Sequence, residues 1–352
     1  MRANKLLIIG NYVAGNLGDD AILAGILTDL KELDFKGSLA ITHGGIRTSL
    51  DLYRSLTKLP FAPVGLRSRM RLGKQVEKAW APYTLAILGG GGLFTDAESW
   101  RAPYIWYRQA KLLRKLKIPY LIFGQSVGPL NSTWSRWFAK KTFLGAKAIH
   151  LRDEESASIL KKWGIQNVTV GTDPALSWLQ TQKERNLKKQ NIFLLSLRNW
   201  PGFKAKNWLE LSKPINEWAK KKNLKPMLIS MEPTSVKEKK LLETFSWEVY
   251  YPQSAREAFL AFQKANAAFT MRLHASVFAL MAKTPFLALN YSKKVEALFR
   301  SLKQESHLLN PENCTEESLR TGLKNLQPPK NFNSEALIQA NRAFLKRELD
   351  LD

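Results

Sequence analysis

TLAILGGGGLFTDAES, residues 84–99, sets an apolar run directly against four glycines, Gly89 to Gly92, and then a polar segment carrying Asp96. An apolar run of this length bounded by glycine reads as a buried strand, and open α/β sheets bind ligands at the carboxyl ends of such strands. Four glycines in succession strip the backbone of side chains, so a ligand or the backbone of the other lobe must come close there. The same grammar recurs in KLLIIG (5–10), SLAIT (38–42), PYLIFGQSVG (119–128) and AIHLRD (148–153). It returns in NIFLLSLR (191–198), KPMLIS (225–230), AAFTM (267–271) and PFLALNY (285–291). Helix-length amphipathic stretches separate these runs, which predicts βαβ units built twice: an α/β chain of two Rossmann-like lobes with mostly parallel sheets and a cleft between them. The length of 352 residues, 45% of them hydrophobic, suits two cores better than one.

Residues 172–190 lose their apolar periodicity in a run of Lys, Arg and Gln and read as the linker, so the lobes are expected at 1–175 and 190–327. A second break at 326–335 contains Pro328 and Pro329. Ser334 beyond it is the expected N-cap of a terminal helix, 334–350, that packs back on the first lobe.

The single cysteine, Cys314, excludes an internal disulfide and any cysteine-based metal site, and no metal is expected. The apolar run before Gly10 is too short for the core of a signal peptide, and no run reaches the roughly 18 apolar residues of a membrane span. The expected location is the cytoplasm. Lys and Arg number 54 against 30 Asp and Glu, a net charge of +24. Such a field suits an anionic partner or reflects a generally basic composition, and charge alone does not choose.

Four motifs stand out. GNYVAGNLGDDAI (10–22) follows the first strand and opens a helix, bringing Asn16, Asp19 and Asp20 to the turn. It lacks the dinucleotide pattern G-x-G-x-x-G, and its carboxylates repel phosphate; they either cap the helix or bind sugar hydroxyls. The glycine run offers Gly90 and Gly91 to a ligand, with Asp96 either bonding a hydroxyl or capping a helix, and FGQSVGP (123–129) brings Gln125 to an equivalent edge. Arg152 in HLRDEES ends a strand, as an ion-pair partner or as a ligand. Arg198 ends the strand of LLSLR, and AAFTMRLHASVFAL (267–280) brings Arg272 and His274 to the junction of a strand with a helix N-terminus, a natural anion site. If 267–273 is extended, the two side chains share one side. Lys293 and Lys294 open a further helix, where cations oppose its dipole unless an anion binds.

Taken in order, GNLGDDAI, GGGGLF.D, GQSVGP, RDEES, LSLR, RLHAS and NYSKKV resemble the polysaccharide pyruvyl transferase family, which includes the CsaB-type cell-wall enzymes. The resemblance implies a two-lobed, GT-B-like fold and transfer of the pyruvyl unit of phosphoenolpyruvate onto a sugar as a cyclic ketal. It implies His274 as the catalytic acid, with Arg152, Arg272 and Lys294 on the carboxylate and phosphate, and the glycine-rich first lobe holding a glycan acceptor. That motif usually carries Asp-Pro before its lysine where Ser292 and Lys293 stand here, and spacing favours Lys294 over Lys293. Phosphoenolpyruvate is then a co-substrate and no cofactor is needed, since fixed cations can neutralise it and an imidazolium can supply the proton. Family acceptors are often lipid-linked, which offers the basic surface a membrane to meet. In GLRSRMRLGKQVEKAW (65–80), Arg67, Arg71, Lys74 and Lys78 form one helical stripe, either a solvated face or a membrane-surface helix.

A sugar-nucleotide glycosyltransferase of the same architecture is the alternative. Nucleic acid is not an expected partner, because no RRM, KH or helix-turn-helix signature is present.

Overall fold

The computed structural model describes residues 4–45, 56–97, 99–184, 186–198, 200, 205–311, 314–330 and 332–351. Its first sheet holds β1 (Lys5–Ile9), β2 (Ser38–His43), β3 (Thr57–Pro60), β4 (Leu85–Phe94), β5 (Tyr120–Val127), β6 (Ala148–Leu151) and β7 (Val168–Val170). They are parallel and ordered β3-β2-β1-β4-β5-β6-β7. The second sheet holds β8 (Gln190–Ser196), β9 (Lys225–Ile229), β10 (Glu248–Tyr250), β11 (Ala265–Thr270), β12 (Phe286–Leu289) and β13 (Leu308–Leu309). It is again parallel, in the order β10-β9-β8-β11-β12-β13. Both sheets reverse direction once, between β1 and β4 and between β8 and β11, and such a switch point is where the carboxyl ends of strands open a crevice.

Alternation along β1 shows how the first sheet is covered. Leu6 and Ile8 pack with Ile22, Leu23 and Ile26 of α1 (Leu17–Glu32). Leu7 and Ile9 point the other way, into a core with Val76 and Trp80 of α2 (Leu66–Trp80) and Ala110 and Leu113 of α3 (Ala102–Lys115). α4 (Thr133–Leu144) and α5 (Glu154–Lys162) continue that outer layer through Phe143 and Leu160. Right-handed crossovers dictate this split: helices after β1 lie on one face and those after the return from β3 on the other. The α1 core is continuous with that of the second sheet, so one apolar cluster joins the lobes.

The four glycines lie inside β4 rather than in a loop beyond it. Gly90 and Gly91 have φ of +81° and +88°, which side chains disfavour. A Cβ on Gly90 would meet Cγ2 of Ile22 at 2.0 Å, so the missing side chain admits α1 and not a ligand. The expected linker is also ordered in part: α6 (Ala175–Thr181) buries Leu176, Trp178 and Leu179 against α1.

The terminal helix α13 (Ser334–Leu349) starts on Asn333 as N-cap, one residue before Ser334, because the Asn333 carboxamide accepts from Glu335 and Ala336 N–H. α13 returns to the first sheet. Its Asn341 Oδ1 accepts from Thr172 N at 3.0 Å and from His150 Nε2 at 2.9 Å, while Nδ2 donates to Thr172 O at 3.2 Å. The His150 ring stacks between Phe123 and Phe344, with centroids 5.3 and 4.7 Å away. Arg342 Nε donates to the buried Asp29 at 2.9 Å.

Burial lowers the His150 pKa to about 4, assisted by Arg347 and opposed by the Asn341 hydrogen bond. An unfolded histidine titrates near 6.5, so between those values the unfolded chain binds a proton that the folded one refuses. Stability therefore falls as pH drops from about 6.5 towards 4, with His150 contributing roughly 3 kcal/mol of that loss. Urea unfolding across this range is expected to show a shallower acid dependence for His150→Gln than for the wild type.

Candidate active site

The carboxyl ends of both sheets face one cavity of about 370 Å³. Its walls include Asn11, Asn16 and Asp19 from the β1–α1 turn, Arg152 beyond β6, Arg198 beyond β8, and Arg272, His274, Tyr291 and Lys294 from the second lobe. Seven of the residues singled out from sequence thus meet here: Asn16, Asp19, Arg152, Arg198, Arg272, His274 and Lys294.

Extension in the β11 segment stops at Thr270, earlier than the spacing suggested. Arg272 is the N-cap of α10 (Leu273–Met281), and His274 lies in the helix's first turn, so a helix start and not a strand alternation brings them together. The imidazole sits against α1. A Cβ on Gly18 would meet His274 Nδ1 at 2.2 Å, so this glycine is what lets the ring lie on the helix. His274 Nε2 is 3.5 Å from Asp173 Oδ2 and has no hydrogen-bond partner among the described residues.

Asp173 joins the site to the first lobe. Its Oδ2 pairs with Arg152 NH1 at 2.5 Å, and its Oδ1 accepts from Ala175 N at 3.0 Å. Arg152 is fully buried and also donates from Nε to Ser126 Oγ at 2.6 Å. Burial pushes the Asp173 pKa up, yet Arg152 and His274 together hold it well below the usual carboxylate range. The acids of the RDEES segment do not take Arg152: Asp153 caps α5 through Ser156 N at 2.8 Å.

Arg272 is held by two carboxylates. NH1 donates to Glu232 at 2.7 Å and NH2 to the buried Glu238, which also accepts from Ser230 Oγ and Met231 N at 3.0 and 2.8 Å. Burial disfavours the Arg272 charge, but Glu238 and Glu232 more than restore it. Glu232 Oε1 also accepts from Asn16 Nδ2 at 3.4 Å, and Leu17 N donates to Met231 O at 3.0 Å, so the first turn of α1 is bonded to the second lobe at the cleft. Asp19 accepts from Asn11 at 2.9 Å; burial raises its pKa, and His274 and Asn11 act against that rise.

A third group lies at the start of α11 (Lys293–Ser301). Lys294 lines the cavity with no salt bridge to a carboxylate among the described residues, while Lys293 faces a separate groove between α5 and α11. Arg198 donates to Tyr291 Oη at 3.3 Å and lies 5.3 Å over the Tyr291 and Trp200 rings. Burial would raise the Tyr291 pKa, yet Lys294, Arg198 and Arg272 bring it below the ordinary phenol value. A phenol biased towards its anion marks a region of positive potential.

Four acceptor-side candidates stand behind the wall instead of in it. Gly90 and Gly91 receive α1. Gln125 is buried, bridging Leu93 N and Gly90 O across the irregular β4–β5 pairing at 3.4 and 3.3 Å. Asp96 accepts from Asn131 and Ser132 N–H at 2.9 and 2.8 Å, ahead of α4. Only Gly92 of the run reaches the cavity.

The sequence pattern of the polysaccharide pyruvyl transferases matches residues 16–293. The chain belongs to this family. Its members are transferases of polysaccharide biosynthesis, so the protein is an enzyme of that class. No curated protein sequence matches the chain. Among solved structures, UDP-GlcNAc 2-epimerase from Methanocaldococcus jannaschii is similar with a TM-score of 0.68 at 13% identity, covering 98% of this chain and 99% of that one. A putative UDP-N-acetylglucosamine 2-epimerase from Listeria monocytogenes gives 0.66 at 12% identity, covering 99% and 97%. UDP-GlcNAc 2-epimerase from Neisseria meningitidis, bound to UDP-GlcNAc, gives 0.66 at 12%, covering 98% and 100%. These likenesses establish the GT-B-like fold of this pyruvyl transferase family member and nothing of its substrate.

Breaking a buried ion pair from one side typically costs about 3–5 kcal/mol, because the remaining charge is stranded. Asp173→Asn is therefore expected to destabilise the first lobe by about that much in denaturant titrations. Arg152→Met combined with Asp173→Asn should recover at least half of the loss, since no orphaned charge is left.

Proposed function

We propose that the enzyme moves the pyruvyl group of phosphoenolpyruvate onto a sugar of a cell-envelope polysaccharide or its lipid-linked precursor, forming a pyruvate ketal. The observation that carries this reading is one imidazole, His274, set between Asp173 and a cluster of fixed cations at the switch points of two sheets. That arrangement pairs a proton donor with sites for a small, multiply charged anion.

His274 protonates the methylene carbon of phosphoenolpyruvate, and positive charge develops at the adjacent carbon. One sugar hydroxyl attacks that carbon; its carbon–oxygen bond to phosphate then breaks, and a second hydroxyl closes the ketal. One proton ends on the new methyl group and the hydroxyl protons leave with base and phosphate, so the step needs no redox partner. Asp173 stabilises the imidazolium before transfer, which is the role a buried carboxylate plays beside a general acid.

The cations divide the anion between them. Arg272 and Arg152 are already compensated by Glu232, Glu238 and Asp173, so they offer directed donors more than net charge. Lys294 and Arg198, around Tyr291, supply the positive region suited to the phosphate. Asp19, on the first-lobe wall beside the Asn16 that caps α1 through Gly18 and Asp19 N–H, would receive acceptor hydroxyls. A lipid-linked acceptor would bring the enzyme to the inner face of the cytoplasmic membrane.

Purified enzyme incubated with phosphoenolpyruvate labelled in its pyruvyl carbons should deliver label to a candidate glycan and release inorganic phosphate. Label passing from a sugar nucleotide, with none from phosphoenolpyruvate, would replace this reading with a glycosyltransferase. His274→Gln is expected to lower kcat by at least about 10²-fold while phosphoenolpyruvate still binds. Lys294→Ala should act chiefly on the KM for phosphoenolpyruvate, raising it about tenfold or more, and Lys293→Ala should leave both constants near wild type.

A further inference from the structure

We propose that the outer face of the first lobe, built from α2, α3 and α4, docks on a bilayer rich in anionic phospholipid; resting on the reading above, this names a lipid-borne glycan as the acceptor class. Three observations converge on that face.

The first is charge. α2, α3 and α4 carry five, four and three Lys and Arg, and their only acidic residue is Glu77. α5, the next helix in the same layer, has two acids to two lysines, so within that layer the excess falls on these three elements.

The second is exposed aromatic surface. Seven of the nine large apolar side chains exposed among the described residues fall between Leu66 and Leu144. Trp134, Trp100 and Trp137 are 71%, 65% and 42% exposed. Two of them share a cluster: Trp137 and Trp134 adjoin Phe138 at 5.1 and 6.5 Å, and Tyr104 and Tyr107 of α3 pack on Phe138 at 4.9 and 5.2 Å. Cations cover the rings from outside, Arg101 over Trp100 and Lys141 over Trp137. Tryptophan and tyrosine with apolar bodies, ringed by Lys and Arg, match the headgroup zone of a membrane, where one end of each side chain stays wet. No helix among the described residues is long and apolar enough to cross a membrane.

The third is a groove of about 640 Å³ between α2 and α3, lined by Arg69, Arg108, Lys111, Arg114 and Lys115 with Tyr107, and by one carboxylate, Glu77, which pairs with Lys115 at 2.5 Å and leaves the other cations in excess. Basic pockets between helices suit phosphate headgroups, and the cationic side chains lining this one are the donors such a headgroup would meet.

Charge complementarity selects the occupant. A second copy of the chain meeting this face symmetrically would set cations against cations. Position gives the docking a use: Ser99, Ala102, Ile105 and Trp106, around the start of α3, line the active-site cavity, while Tyr104 between them packs on Phe138 of the aromatic face and Trp100 is exposed. One short segment thus separates the cleft from the docked surface.

Co-sedimentation of the full chain with vesicles of phosphatidylcholine alone, or mixed with phosphatidylglycerol, tests the proposal. Binding is expected to favour the anionic vesicles by at least about tenfold and to weaken steeply as salt is raised. Trp134→Ser with Trp137→Ser, and separately Lys111→Glu with Lys140→Glu, should each weaken it about tenfold or more while transfer to a short water-soluble acceptor is unchanged. Equal binding to both vesicles, wild-type binding by both variants, or variants that instead alter oligomeric state or binding of a soluble anionic polymer would overturn it. Failure of phosphoenolpyruvate to donate label would sink the proposed reaction and leave the vesicle result standing.

Discussion

The buried pair of Arg152 and Asp173 is the interaction on which the cleft depends. It ties the end of β6 to the start of α6, draws in Ser126 from β5, and presents a carboxylate to an imidazole from the other lobe. An isolated buried arginine would cost far more than the fold can spare, so the guanidinium exists there only because its partner does. The same rule governs Arg272, whose burial is made tolerable by Glu232 and Glu238. Each strand-tip cation of the inner wall is thereby fixed in direction before any substrate arrives, and preorganised donors of this kind cost no rearrangement when charge develops.

Compensation also explains why the cleft is not uniformly positive. Carboxylates neutralise the side nearest His274, while Lys294 and Arg198 around Tyr291 stay electropositive. Negative charge is therefore favoured at one end of the cavity over the other.

The inner strands of both sheets, the arginines beyond them and the lysine after β12 were legible in the sequence because each lies within a local pattern: an apolar run, a glycine or charge at its end, a helix beyond; the short edge strands β3, β7, β10 and β13 lack such a run and were not read. The carboxylates that make those arginines tolerable were not, since they sit 21, 34 and 40 positions away from their partners. Asp173 stood in plain view in TDPALSW, but its segment reads as a polar linker until α6 folds onto α1. The glycine run misled for a related reason: glycine signals close approach without saying what approaches, and here it is Ile22 and not a sugar. Gln125 and Asp96, polar residues at strand edges, were spent on backbone groups that the irregular β4–β5 pairing and the start of α4 left without partners.

Gly18 and Asp173 come from one lobe and His274 from the other. Any motion that parts the lobes to admit a bulky glycan also takes the imidazole off its helix and away from its carboxylate. With the lobes apart, the imidazole would lack both the helix it rests on and the carboxylate beside it. The smallest residue in the first turn of α1 thus makes the seating of this imidazole a property of the two lobes together and of neither alone.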